Sequence, residues 1–167
     1  MIAPLIVTAE LGRDDFAWLQ SLRRQHYPVE RNRVPAHLTL FHTLPPSAES
    51  EVRSLLASLS ARPQPRAFVA GVMNLGGGVA LRVASEELDA LRSELAGRLS
   101  GLLTAQDRAG WSPHVTIQNK VAPRDARALI DQLGATYDRR PVRIAGLGLH
   151  RYLGGPWETL QTWAFRG

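Results

Sequence analysis

Apolar and polar positions along this chain fall into strand-length and helix-length blocks that follow one another in a regular order. Pro4 to Leu11 (PLIVTAEL) is a strand-length, mostly apolar run. From about Asp14 to His26, residues Phe16, Leu19 and Leu22 recur on one side of a helical wheel and predict an amphipathic helix. A polar stretch with a proline, 31–36, leads into a second predicted strand over 37–44. Ser47 is expected to cap a helix whose inward residues are Val52, Leu55, Leu56 and Leu59. A third strand is expected over about 67–75.

After Gly76-Gly77-Gly78 the order begins again. A strand over 79–84 precedes a helix started by Ser85, Glu86 and Glu87, with Leu88, Leu91, Leu95, Leu99 and Leu102 as its apolar stripe. A loop containing Gly110, Trp111 and Pro113 leads to a strand over 114–120. Pro123 opens a further helix with Ala126, Leu129, Ile130 and Leu133 facing inward. Strands near 142–152 and 157–165 close the chain around a Gly154-Gly155-Pro156 turn. Matching elements begin at 4 and 79, at 37 and 114, and at 47 and 123, so the spacing points to two copies of a β-α-β-α-β unit. The glycine run reads as a hairpin link. No Gly-Lys-Ser/Thr follows it, as a phosphate loop requires.

Both copies place the same short motif in the same position: His37-Leu38-Thr39-Leu40 and His114-Val115-Thr116-Ile117. Side chains on a strand alternate faces, so His and Thr at i and i+2 share one face while the aliphatic pair enters the core. Two such strands facing one another give two imidazoles and two hydroxyls around one cleft. A neutral imidazole takes a proton from water, a protonated one gives a proton to a departing ribose oxygen, and hydroxyls donate to phosphate oxygens. Two histidines alone fall short of a zinc site with three or four protein ligands, so no metal is expected. With eight threonines and five histidines in the chain, two His-x-Thr pairs by luck carry a probability of roughly 0.02.

Composition changes this picture little. The 167 residues carry a net charge of +5, and of the 20 basic residues only Lys120 is lysine. The planar fork of arginine suits phosphate oxygens, although a solvated surface from Arg-favouring codon usage explains the same count. The absence of cysteine removes disulfides, thiolate metal sites and thiol nucleophiles. No apolar run approaches the length of a membrane span, and the first residues lack the pattern of a secretory signal. A cytoplasmic protein with no membrane partner is the default expectation.

On these motifs the sequence resembles the two-histidine phosphoesterase superfamily, in its 2′-5′ RNA ligase-like, cyclic phosphodiesterase branch. Trp111-Ser112-Pro113 before the second motif, and a closing hairpin with Gly155, Trp157 and Phe165, add to the resemblance. It implies an α+β fold of two pseudo-twofold-related β-α-β-α-β lobes whose antiparallel or mixed sheets form a central cleft. Residues 1–167 are then a single bilobal domain divided near 76/77, with exchange of the C-terminal strands between lobes left open. The resemblance also implies that His37 and His114 are the catalytic acid and base and that Thr39 and Thr116 hold the phosphate. No metal or nucleotide cofactor is implied. The motif continuations here, Phe41-His42-Thr43 and Gln118-Asn119-Lys120, depart from the arginine and aromatic residue frequent in RNA-acting members.

Other residues carry weaker expectations. Gln118, at i+4 from His114, shares its face on strict alternation and either touches substrate or caps the strand end; Lys120 continues that face to the rim. Tyr27, Arg31 and Arg33 precede the first motif, where a loop can reach the cleft and clamp phosphate. Trp111 either stacks on a base or packs. His150 and Tyr152 share a strand face near the chain end. His42 is expected on the opposite face from His37, in a structural role. The expected substrate is a nucleotide or RNA-terminal phosphodiester: a 2′,3′-cyclic phosphate, a related cyclic or 2′–5′ diester, or a reversible 2′–5′ RNA junction, handled by a monomer. An RNA- or nucleotide-binding module with little catalysis is the competing reading.

Overall fold

A computed structural model describes residues 3–134, 136–137 and 139–167. Its strands are β1 (Leu5–Leu11), β2 (Leu38–Leu44), β3 (Arg66–Asn74), β4 (Val79–Ala84), β5 (His114–Gln118), β6 (Pro141–Tyr152) and β7 (Trp157–Ala164). The α-helices are α1 (Arg13–His26), α2 (Glu49–Leu59), α3 (Glu86–Arg98), α4 (Ala105–Arg108) and α5 (Pro123–Leu133). Each half of the chain therefore runs in the expected β-α-β-α-β order, with α4 as an added turn before β5. Ser85 caps α3 by accepting from Leu88 N at 3.1 Å, and Pro123 opens α5. Ser47 caps nothing: a 3₁₀ turn occupies Pro46–Ala48 and α2 starts at Glu49. Phe16, expected inward, is 38% exposed, while Leu19 and Leu22 are buried.

Every strand pairing is antiparallel. The sheet order is β2-β1-β6-β3-β4-β5, with β7 also on β6. The long strand β6 joins two wings: its first residues, Pro141–Arg143, pair with β3, and the rest pairs with β1 and β7. Sheet membership thus crosses the midpoint of the chain, since β3 pairs with β4 while β6 and β7 join β1. One apolar cluster runs through both wings, from Leu5, Val7 and Leu38 to Leu81, Val115 and Ile144.

The two strands that carry the His-x-Thr motifs lie at opposite ends of this order, so among the described residues each has one edge without a strand neighbour. Side chains fill the free edge of β2. Trp111 Nε1 donates to Thr39 O at 3.1 Å and Arg92 Nε to Leu40 O at 3.2 Å. The Asp107 carboxylate accepts from the backbone N–H of His42 at 2.9 Å and of Thr43 at 3.0 Å. His42 Nδ1 also donates to Asp107, at 3.0 Å. Desolvation alone pushes the Asp107 carboxyl up, but the bonds from His42 and Thr43 outweigh it and hold it below the ordinary range. Arg92 Nη2 in turn ties Asp107 O at 2.7 Å.

Removing the Asp107 carboxylate leaves two backbone donors of β2 without acceptors. Asp107→Ala is expected to cost about 3 kcal/mol of stability, because orphaned buried donors lose their full solvation. Because the folded pKa is depressed, this contribution is present above about pH 4 and fades on further acidification. Urea unfolding at pH 7 measures it; a loss below about 0.5 kcal/mol, the range of an ordinary surface change, contradicts this role.

Candidate functional site

Each motif alternates as expected: Leu38, Leu40, Val115 and Ile117 are fully buried, and the His and Thr between them are only partly covered. Both strands then slip register at the same point. Thr8 pairs with Thr39 but Val7 with Phe41, and Ala80 pairs with Thr116 but Val79 with Gln118. Leu40 and Ile117 are the extra residues of two matching β-bulges, which reverse the alternation beyond them. Gln118 consequently faces the core beside Val79, 6% exposed, instead of sharing the face of His114. Its Oε1 is buried without a hydrogen-bond partner among the described residues. The slip likewise buries both Leu40 and Phe41, so strict alternation does not carry through to His42, which the Asp107 bonds hold at the strand edge.

The two imidazoles are oriented by one device. His37 Nδ1 lies 2.8 Å from Pro35 O, and His114 Nδ1 lies 2.8 Å from Ser112 O. A carbonyl only accepts, so Nδ1 carries the proton in both rings and Nε2 is the free nitrogen in the neutral form. His37 is pushed down to about 4, first by desolvation and then by the charges of Arg23, His114 and His150, against the upward pull of the Pro35 carbonyl. The second imidazole therefore lies within electrostatic reach of the first.

Arg23, 2% exposed on α1, ties β5 to the loop that leads into the first motif. Its Nη1 donates to Thr116 O at 2.8 Å, its Nη2 to Val34 O at 2.7 Å, and Nε and Nη2 to Asn32 Oδ1 at 3.2 and 2.9 Å. The guanidinium also covers the Tyr27 ring, 4.4 Å from its centroid. This contact brings the two ends of the sheet to one place. No sequence signal isolated Arg23, because its helix position follows the apolar stripe of Leu19 and Leu22.

His37 stands between two cavities. One, of 290 Å³, is lined by Arg23, Tyr27, Arg31, Arg33, Thr116 and Asn119 among others. The other, of 360 Å³, is lined by Glu10, Phe16, His150, Trp157 and Thr159 among others. Tyr27, Arg31, Arg33 and His150 thus lie where they can meet a ligand at His37. Of the motif residues, Thr39 and His114 border neither cavity, and neither do four other candidates, Gln118 in the core being the first. Lys120 is exposed in a left-handed turn, φ 63°, because β5 ends at Gln118, and Asn119 takes the cavity position. Tyr152 is 40% exposed and borders neither cavity. Trp111 is partly buried behind β2, with the Arg92 guanidinium 5.4 Å from its ring centroid, and borders neither of these two cavities.

Alternation in PLIVTAEL was a usable signal for Thr8 and Glu10, polar at i and i+2 in a buried strand. Trp157, noted in the sequence only as part of the closing hairpin, has its ring centroid 4.6 Å from that of His37. Among the described residues no cluster of three or more His, Asp or Glu has metal-holding geometry. No described helix is long and apolar enough to cross a membrane.

Comparison with curated protein sequences gives no match. Among solved structures, the Thermus thermophilus protein TT0787 has a TM-score of 0.68 at 21% identity over 98% of both chains. E. coli LigT complexed with 3′-AMP gives 0.64 at 18% identity, over 100% of both chains. The same protein complexed with NADP+ gives 0.63 at 20% identity, also over 100% of both chains. At these identities the likeness is one of fold. The family model for the 2′-5′ RNA ligase superfamily aligns with residues 12–156. A match that runs from the first helix into the closing hairpin covers nearly the whole architecture, and the chain belongs to the 2′-5′ RNA ligase superfamily.

Proposed function

We propose that this protein is a metal-independent phosphodiesterase that opens a nucleoside or RNA 2′,3′-cyclic phosphate by acid–base catalysis between His37 and His114. The observation that carries this reading is the matched Nδ1 anchoring of the two rings, which gives each a free Nε2 on the face it shares with a threonine hydroxyl. A structural histidine needs no such pair. Catalysis by proton transfer does, because each ring must present one defined nitrogen.

With its low pKa, His37 is neutral near pH 7 and serves as the base. Its Nε2 takes a proton from water as the water oxygen attacks phosphorus. The bond from phosphorus to one ribose oxygen breaks, and protonated His114 gives its Nε2 proton to that oxygen. The product is a monophosphate beside a free hydroxyl, and the two rings have exchanged protonation states. Thr39 and Thr116 donate to the non-bridging oxygens, where negative charge gathers. Arg31 and Arg33, at the cavity that His37 shares with Thr116, supply positive charge for the phosphate. The 3′-AMP and NADP+ complexes of the similarly folded E. coli LigT support a nucleotide as the ligand class.

His37→Ala and His114→Ala are each expected to lower kcat/KM on 2′,3′-cyclic nucleotides at least about 10³-fold, near the top of the range for a lost general acid or base. Circular dichroism should stay unchanged, and EDTA should not affect the wild type. Full activity in either variant sinks the mechanism.

The pH profile tests the assignment of the base. A base of depressed pKa remains neutral as pH falls, so the acidic limb of kcat/KM is expected near pH 4 and not near the ordinary histidine value. Ring NMR titration of His37 in the free protein should give the same midpoint. A His37 midpoint near 6.5, the unperturbed value, removes the ground for naming it the base.

A further inference from the structure

The cleft face of β1 carries a polar chain that the two-histidine chemistry leaves unused. Thr8, 1% exposed, has its Oγ1 2.7 Å from Glu10 Oε2 and 2.8 Å from His150 Nε2. His150 Nδ1 lies 3.0 Å from Thr159 Oγ1. A carboxylate only accepts, so the Thr8 hydroxyl donates to Glu10 and accepts from the N–H at His150 Nε2. That leaves Nδ1 to accept from Thr159. The whole chain, from β7 across β6 to β1, is aimed at one carboxylate and fixes its place. Gly148 makes room for it: a Cβ there would stand 2.7 Å from Glu10 Oε2 and 2.8 Å from Thr8 Oγ1.

Glu10 is an unexpected group so near a phosphate site. Its side chain is 33% exposed, it lines the 360 Å³ cavity that also holds His37, and its only ion-pair contact among the described residues is with His150 at 3.9 Å. Arg13 borders the same cavity without pairing with it. A carboxylate repels phosphate, so this cavity suits the uncharged part of a substrate. Two of its walls are aromatic, Phe16 and Trp157. Their exposure on the cavity side gives Phe16, misplaced for core packing, a reason to be open. A flat, neutral group with N–H donors on its edge fits such a place, and a nucleobase is one.

The bases differ in what they offer a carboxylate. Guanine presents N1–H and N2–H side by side. Adenine and cytosine set an amino donor beside a ring nitrogen lone pair, and uracil sets one N–H between two carbonyls. Only guanine meets both carboxylate oxygens with donors. We infer that Glu10, held by Thr8 and His150, reads the guanine base of the substrate nucleoside in the cavity bordered by Phe16 and Trp157. This rests on the phosphodiesterase reading above and names the substrate class for that same site.

Steady-state kinetics on the 2′,3′-cyclic phosphates of guanosine, adenosine, cytidine and uridine test it, in the wild type and in Glu10→Gln. The wild type is expected to favour the guanosine compound by about tenfold or more in kcat/KM, the scale of a hydrogen bond to a charged group. Glu10→Gln should lose that preference, its kcat/KM falling about tenfold more on the guanosine compound than on the uridine compound. Gly148→Ala, whose methyl displaces Glu10, should also lose it without touching the carboxylate chemically. Equal rates on all four compounds, or an unchanged preference in Glu10→Gln, overturn the inference while leaving the phosphodiesterase reading intact. If the wild type opens none of the four, the phosphodiesterase reading fails. Calorimetric binding of 3′-GMP and 3′-UMP then decides the base reading, since tenfold tighter 3′-GMP binding supports it and equal affinity overturns it.

Discussion

A strand at the end of a sheet carries a row of backbone donors and acceptors with no neighbour, and both histidine motifs sit on strands of that kind. Left open, such an edge frays or recruits another chain. Here side chains take the place of the missing strand. Asp107, Arg92 and Trp111 occupy the outer edge of β2, and Arg23 reaches Thr116 on β5 while holding Val34 before β2. The proposed catalytic geometry depends on this substitution, because it lets the two ends of one sheet approach without pairing. A cleft is what remains between two edges that have been satisfied separately.

Much of this was legible in the sequence, for a physical reason. Strand alternation is a local rule, and His37, Thr39, His114 and Thr116 obey it because Leu38, Leu40, Val115 and Ile117 must all be buried. The spacing of leucines likewise marked α3, where Ser85 supplies the cap. The rule fails at Gln118 because it assumes an unbroken register, and a bulge at Ile117 reverses every later position. Phe16 misled for another reason: amphipathic spacing says that a face is apolar, and cannot say whether core or cavity lies against it. Arg23 and Trp157 act through contacts with residues far away in the chain, which no local pattern encodes.

The cleft is electrically divided at His37. Arginines 31 and 33 stand on one side, and Glu10, with Arg13 at the border, on the other, so the side without a carboxylate suits the charged end of a substrate. Desolvation, with the charges of Arg23, His114 and His150, depresses His37, and burial also pushes His150 down, against the opposing pull of Glu10. One field thus contributes both to proton affinity and to the direction of approach.

Strand β6 has a mechanical role as well. A single strand of 12 residues runs through both wings, bonded to β3 at one end and to β1 and β7 along the rest. Its register against β1 breaks at one point: Glu10 pairs with Gly146 and Leu11 with Ile144, so Ala145 is an extra residue and β6 bends there, just past the part bonded to β3. The angle between the wings is therefore set at one bulge within a strand that both of them share. The turn-rich connection over 28–36, which leads into His37 and carries Arg31 and Arg33, is fastened to α1 by Arg23 through Asn32 and Val34, so α1 and that bulge together fix where the first imidazole stands.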